Sequence, residues 1–283
     1  MLKKAVIFGA GATGRTLYSQ LKEQYEILYA TDNDPMHYGK MFADNIEVKD
    51  KSELYKGGFD CVIVASYAGL NEISLQLQRD YKIMPDKILR NCLASSVNAR
   101  IQFVESFAHI VYEKNIPGEI AEVGVFRGEF AKEINRAFPD RALYLFDTFE
   151  GFDERDVAYE RSKGFSNSMT AQHSITTEAL VYSKLPHKEK AIFKKGYFPD
   201  SFDLLDEAFC FVNLDTDLYL PTIAGLKIFW PLMSKRGVIL VHDYFAPYYR
   251  GVRAAVDEFS EEEGAPIIPI GDCLSIAVVK PFQ

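Results

Sequence analysis

The chain is poor in the features that mark several protein classes. Its 283 residues include only four cysteines, Cys61, Cys92, Cys210 and Cys273, and no two stand at a metal-binding spacing. Cys61 and Cys210 fall inside apolar runs, so buried structural thiols in a reducing compartment are expected rather than a disulfide scaffold. No apolar run reaches the roughly 18 residues that a membrane span needs. The opening MLKKAVIFGAG has too short an apolar run for a signal peptide, and a cytoplasmic location is expected. Positive charge is also in deficit, with 32 Lys and Arg against 40 Asp and Glu and a formal net charge of −8. That balance argues against nucleic acid or an anionic membrane as the main partner, though a local site can still take a small anion. No internal repeat is convincing.

What is present centres on Phe211 to Tyr244. FVNLDTDLYL is followed by a helix-like PTIAGLKIFWPLMSK and then by RGVILVHDY. Two apolar runs without polar alternation read as strands buried on both faces of a parallel sheet. The stretch between them suits a crossover helix. Both strand ends then emerge at the carboxyl edge, where open α/β sheets bind ligands. Asp215, Asp217, His242 and Asp243 are therefore expected to face one crevice, as candidate bases or metal ligands. Asp215 has a plainer reading as a helix N-cap, because Pro221 follows it closely.

The first ninety residues have their own pattern. Lys4 to Phe8 is a short apolar strand running into Gly9-Ala10-Gly11-Ala12-Thr13-Gly14, and a helix-like segment follows. A second strand ends near Asp32, 23 positions after Gly9. Strand, G-x-G-x-x-G, helix, strand and acid in that order make a Rossmann-like nucleotide-binding unit of Gly9, Gly11, Gly14 and Asp32. TDNDPMHYGK and VIVASYAGLNEISLQL resemble the small Rossmann-like domains of sugar-modifying enzymes, such as the N-terminal domain of bacterial sugar acetyltransferases. That resemblance implies a bound nucleotide or nucleotide-sugar, or a degenerate module in which the turn only packs helix on strand. NAD(P) chemistry is a further reading, and no Tyr-x-x-x-Lys pair follows the turn in the expected place. LASSVNAR, small and polar, suggests a linker at 93–100 between domains 1–92 and 101–283.

The second domain opens on a covering helix, Ile101 to Asn115, with Val104, Phe107, Val111 and Tyr112 on its apolar face. GEIAEVGVFRG then reads as a strand with a second glycine turn, and the next strand ends in Asp147, 23 positions after Gly124. An acid there can accept ribose hydroxyls, and Gly124 lets a cofactor's amino-acid tail pass the strand end. EVGVFRGEF, LFDTFEGF, KKGYFPDSF, FVNLDTDLYLPTIAGL, GVILVHDY and RGVRAAVDEF together resemble the macrocin O-methyltransferase family over nearly all of 101–283. The resemblance implies a class I fold with a mostly parallel seven-stranded sheet and S-adenosylmethionine as cofactor. It also implies a small-molecule sugar hydroxyl as acceptor, within a nucleotide-sugar, a polysaccharide precursor or a glycosylated natural product. It places Glu122, Gly124, Phe126, Arg127 and Gly128 along the cofactor's methionine part, Asp147 on its ribose with Thr148 and Phe149 beside it, and Gly196 and Tyr197 near its adenine. It gives Asp215, His242 and Asp243 to a divalent cation, expected to be magnesium, and Asp217 to the base. Relatives end the last strand in Asp-Asp-Tyr, whereas this chain has His242-Asp243-Tyr244. A nitrogen donor shifts metal preference toward transition metals, and His242 can alternatively serve as the base.

The polar stretch from Phe152 to about Lys190 is too long for a plain connection and is expected to be a mobile lid hinged at Gly151 and Gly164. His173, in SMTAQHSITTEAL, reads as solvent-exposed or as part of that lid rather than as catalytic. Ile267 to Ile270 and Leu274 to Val279 read as a closing antiparallel hairpin. The fold class is thus α/β, two Rossmann-like domains in tandem. Phe103, Phe107 and Tyr112 could build a homo-oligomer interface. The competing functions are an NAD(P)-dependent sugar oxidoreductase or epimerase and a non-catalytic nucleotide-sugar-binding protein.

Overall fold

The computed structural model describes residues 2–66 and 69–282, and it describes side chains throughout these except at 91–98, so Cys92 lies outside the described side chains. The chain divides into two compact units, Met1–Val97 and Asn98–Gln283.

The first unit runs β1 Lys3–Phe8, α1 Ala12–Leu21, β2 Tyr25–Thr31, β3 Met41–Ala43, β4 Ile46–Glu47, β5 Cys61–Val64, α2 Leu70–Arg79 and β6 Ile88–Leu89. Its main sheet has the order β2-β1-β5-β6, all parallel, and β3 and β4 form a small antiparallel ribbon. Ala5, Val6, Ile7 and Phe8 are all buried, as a run without polar alternation requires for a central strand covered on both faces.

The stretch 93–100, expected as a linker, lies within helix α3, Asn91–Glu113, and the division between the two units falls inside it. Small size and polarity suggest a loop, but LASSVNAR holds neither Gly nor Pro and its Leu, Ala and Arg favour helix. The second unit continues with β7 Glu119–Val123, α4 Glu129–Ala137, β8 Leu143–Asp147, α5 Glu154–Lys163, α6 Glu178–Lys184 and β9 Ala191–Lys195. It closes with β10 Phe209–Leu214, α7 Tyr219–Leu232, β11 Met233–Val241, α8 Arg250–Glu263, β12 Ile267–Pro269 and β13 Ile276–Val279. The sheet order is β12-β13-β11-β10-β7-β8-β9. Strands β7 to β11 are mutually parallel where they pair, and the hairpin of β12 and β13 joins antiparallel. Pro269 is tolerated because β12 is an edge strand, where a missing N–H breaks no ladder.

Every residue of β10 is buried, and two apolar layers cover the sheet. One layer holds a cluster of Phe146, Phe198, Phe209 and Phe229. The other takes Phe107, whose ring lies 6.0 Å from Phe211, so Phe107 is core rather than interface. Cys61 and Cys210 are buried as expected, whereas Cys273 is exposed in the turn before β13.

The expected lid contains regular structure. Asp153 caps α5 by accepting from the Arg155 amide, and Gly164 ends it in the left-handed conformation. Its buried face is Asp156, Val157 and Glu160, so acids stand where an apolar stripe would have announced a helix. Gly164 is a helix stop, and Gly151 is a packing position where an added Cβ would lie 2.4 Å from the Thr170 carbonyl. Among the described residues no helix is long and apolar enough to cross a membrane.

Candidate active site

The parallel register brings the ends of β7, β8, β10 and β11 to one edge of the second unit's sheet. Gly124 follows β7 and approaches the end of β10 closely. A Cβ there would lie 2.0 Å from the Asp215 carbonyl oxygen, and φ is +84°, so only glycine fits. The turn it opens is clasped by Asp147. One carboxylate oxygen accepts from the amides of Val125 and Phe126 at 2.8 Å each, and the other accepts from the Phe149 amide at 2.7 Å. Burial raises the Asp147 carboxyl, and those three amides oppose the rise. The Gly196 amide donates to the Asp147 carbonyl, which sets Gly196 and Tyr197 beside the acid. Tyr197 donates to Asp156 at 2.8 Å and its ring lies under the Arg155 guanidinium. Thr148 donates to the Gly151 carbonyl and shapes the turn after β8.

A polar chain crosses the sheet edge from there. Glu122, 1% exposed, accepts from Asn213 at 2.9 Å, its register partner on β10. Asn213 accepts from Arg100, and the same Arg100 nitrogen reaches Asp215 at 2.9 Å. The Arg100 guanidinium also sits 3.8 Å from the centre of the Phe130 ring. Asp215 faces His242 Nδ1 at 3.1 Å, and that nitrogen lies 2.9 Å from Asp243. Asp243 in turn shares a hydrogen bond with Asp217.

The ionisation of this cluster follows from its neighbours. Burial would raise Asp215, but His242 and Arg100 outweigh it and hold the carboxyl well below the ordinary range. Burial and then Asp243 push Asp217 well above that range. Burial and Arg100 work to discharge His242, yet Asp215 and Asp243 win and raise the imidazole to about 10. Glu122 is raised by burial and by Asp215.

Backbone strain gathers here as well. Among the described residues ten non-glycine positions have positive φ, and Phe126, Phe149, His173, Asp217 and Asp243 are five of them. Each costs on the order of 1–3 kcal/mol, and such positions persist only where the surrounding structure over-determines them.

Asp215, Asp217, His242 and Asp243 thus share one crevice, as their spacing predicts. Leu218, not Asp215, occupies the N-cap position of α7. Among the described residues Asp215, His242 and Asp243 form a group whose ligand atoms lie within 4.8 Å of one another. Three further residues join the site without a clear sign in the sequence. Arg100 falls within the expected linker, and its only signal is a lone cation on an otherwise small-residue helix face. His173 sits 3.4 Å from Asp217. Tyr249, just before α8, is buried close to Asp217, Asp243 and Asp215.

In the first unit the glycine turn divides by role. Gly9 and Gly14 are packing positions, since a Cβ on Gly14 would meet the Gly9 carbonyl at 1.9 Å and one on Gly9 would meet Ala65 at 2.6 Å. Gly11 faces open space. Asp32 accepts from the amides of Ala10 and Asp34, so it clasps its turn as Asp147 clasps the second one.

A family profile described as macrocin-O-methyltransferase (TylF) matches residues 90–275. The chain belongs to the macrocin-O-methyltransferase family. Within that family it is similar to mycinamicin III 3''-O-methyltransferase of Micromonospora griseorubida, 26% identical over 162 residues, covering 53% of this chain and 63% of the relative. That match spans less than two thirds of the relative's length. It is also similar to 8-demethyl-8-(2,3-dimethoxy-alpha-L-rhamnosyl)-tetracenomycin-C 4'-O-methyltransferase of Streptomyces olivaceus, 26% identical over 188 residues, covering 59% and 71%. Among solved structures, the O-methyltransferase NovP shares the fold with a TM-score of 0.51 at 23% identity, over 65% of this chain and 80% of that one. Residues 1–89 match a separate profile described as C2185-like, N-terminal. The macrocin-O-methyltransferase match thus carries the glycine turn at Gly124, Asp147 and the acid–histidine cluster, and the Gly9 turn lies outside it.

Proposed function

We propose that the chain is an S-adenosylmethionine-dependent O-methyltransferase acting on a sugar hydroxyl, with a divalent cation at its acid–histidine cluster. One observation carries this reading. A clasped glycine turn and a cluster of ionisable side chains meet at one sheet edge, joined by buried polar contacts from Glu122 to Asp243.

The residues suit the cofactor. Glu122 Oε2 and Arg127 Nε are buried and without hydrogen-bond partners. Such groups are costly unless something pairs with them. A zwitterionic amino-acid tail brings an ammonium for the first and a carboxylate for the second. Asp147 spends three of its roughly four acceptor positions on amides, which leaves one for a ribose hydroxyl. When bound, the cofactor supplies an electrophilic methyl on a good leaving group.

The chain itself must activate the nucleophile, since a sugar hydroxyl is a very weak acid. Asp217 would take the proton of the acceptor hydroxyl as that oxygen is methylated. In its ionised form, a carboxyl raised above its ordinary range is the better proton acceptor, and such a base is worth about 10²–10⁴-fold. His242 is less suited, because an imidazole raised to about 10 already holds a proton at neutral pH.

Asp215, His242 and Asp243 fit a divalent cation. Their donors converge, and Arg100 takes one Asp215 oxygen while leaving the other facing the imidazole. A bound cation would replace the imidazole proton and could polarise the acceptor hydroxyl. The mixed nitrogen and oxygen donors suit manganese or another transition ion better than magnesium. In the first unit, open Gly11 is where a nucleotide or nucleotide-sugar phosphate would approach.

The relatives named for mycinamicin and for a rhamnosyl tetracenomycin guide the choice of acceptors. The test is calorimetry with S-adenosylhomocysteine, followed by transfer of labelled methyl to a panel of glycosylated macrolides and nucleotide-linked deoxysugars. Wild-type protein should bind in the micromolar range, and Asp217→Asn should bind equally well but transfer nothing. No binding at millimolar ligand, or unaltered transfer by the variant, would refute the reading.

A further inference from the structure

The segment between α5 and α6 is pinned on both sides of His173. Upstream, the Thr170 and Gln172 carbonyls pack on Gly151, at the turn that follows β8. Downstream, Thr176 donates to the Phe126 carbonyl, in the glycine turn that follows β7. Between these anchors His173 takes a left-handed backbone, φ +61°. Its ring lies edge-on to Phe126 at 5.0 Å and to Phe152 at 5.2 Å. Its Nε2 lies 3.4 Å from the Asp217 carboxylate.

The side chain is 37% accessible, as an exposed lid residue would be. Burial nevertheless lowers its ionisation, while Asp215, Asp243 and Asp147 oppose that. A group can be both accessible and surrounded by protein only inside a cleft. The same ring therefore touches the turn assigned to the cofactor, through Phe126, and the acid assigned to the acceptor, through Asp217. The close carboxyl partner of Asp217 is Asp243, an acid on the cation side of the cluster, so His173 is the contact that Asp217 makes on the cofactor side.

We propose that His173 is a positioning residue of the methyl-transfer site, holding the Asp217 carboxylate at the junction of the cofactor pocket and the acceptor pocket. The proposal rests on the methyltransferase reading and adds to it a residue that the family resemblance does not supply. Wedged between Phe126 and Phe152, the imidazole keeps Nε2 turned toward Asp217 at 3.4 Å, from where a small shift makes the hydrogen bond. The segment around it is then a wall of the site.

The test separates the two readings. Full-length protein is labelled with ¹⁵N-histidine, and of its five histidines His173 is assigned by the signal lost in His173→Gln. S-adenosylhomocysteine and S-adenosylmethionine are added to separate samples, with binding measured by calorimetry. The His173 signal should move with both and should differ between them, because the two ligands differ only by the methyl and its charge. His37, His109 and His187 should stay in place. If the ligands bind and His173 does not respond, this inference alone falls. If neither binds, the cofactor reading falls and takes the inference with it.

With an acceptor from the panel, His173→Ala should lose about 10–100-fold in kcat, the scale of a slightly misplaced catalytic group, with KM for S-adenosylmethionine changed less than about threefold. His173→Gln, which keeps an N–H donor, should recover part of that loss, and His173→Phe, which only fills space, should not. Equal recovery by Gln and Phe, or no loss in the Ala variant, would overturn the proposal.

Discussion

Asp156→Asn should stabilise the second unit, and more so in mild alkali than in mild acid. Asp156 is 5% exposed on the inner face of α5 and accepts the Tyr197 hydroxyl at 2.8 Å. Burial raises its carboxyl from 3.8 to about 6. A folded-state value above the unfolded one means that the fold prefers the protonated acid. That contribution is complete below about pH 4 and is lost as pH rises through about 6. Each tenfold change in acid strength corresponds to about 1.4 kcal/mol, so a rise from 3.8 to about 6 puts the full loss at about 3 kcal/mol by pH 8. About half of it has already gone by pH 5, where the unfolded acid is ionised and the folded one is mostly not. Asparagine is neutral throughout and can still accept from Tyr197. The stabilisation of Asp156→Asn over wild type should therefore be about 1.5 kcal/mol larger at pH 8 than at pH 5. Taking the difference between two proteins cancels the other titrating groups. The assay is urea unfolding followed by the fluorescence of Trp230, the only tryptophan, which lies in α7 against Phe259 and so reports on the second unit. A stabilisation equal at the two pH values, or a destabilisation at both, would refute the argument.

Other outcomes follow from the same geometry. Gly124→Ala places a methyl 2.0 Å from a backbone oxygen at positive φ, so S-adenosylhomocysteine affinity should fall at least about 100-fold or the second unit should fail to fold, as read by calorimetry and circular dichroism. Arg100→Met leaves Asp215 with His242 as its one cationic neighbour, and since Asp215 is 24% exposed the cost should be about 2–3 kcal/mol rather than that of a fully buried charge. In thermal unfolding that is about 5–10 °C, and a change below about 1 °C would contradict the role given to Arg100. Manganese should bind wild-type protein more tightly than magnesium in calorimetry, and Asp243→Asn should lose most of that affinity; equal affinities would count against a nitrogen donor in the site.

The readable parts of the chain are those in which one physical demand governs each position. The β10 run is legible because a strand covered on both faces must be apolar throughout, and the acids at its end have to emerge at the carboxyl edge. Gly124 and Asp147 are legible because the turn demands glycine and the amides of that turn demand an acceptor. Arg100 is illegible because its partners lie 113 and 115 residues away, where no local period reports them. Helix α5 is hidden because its buried face carries Asp156 and Glu160, so hydrophobic periodicity points nowhere. His173 reads as a surface residue because a polar stretch without periodicity looks the same whether it faces solvent or a cleft.

The two rims of the second sheet have a consequence for association. On one side stands the three-residue β12 with Pro269, and on the other β9, which ends in Lys194 and Lys195. Proline withholds a donor and lysine resists desolvation, so neither rim is a template for a further strand. A stray β-segment, or a second copy approaching strand to strand, would meet a missing hydrogen bond on one side and, on the other, lysines paired with Asp203 and Glu150 that resist losing their water. The pairing that would turn seven strands into an endless ribbon is thus blocked at both ends by residues that take no part in the site.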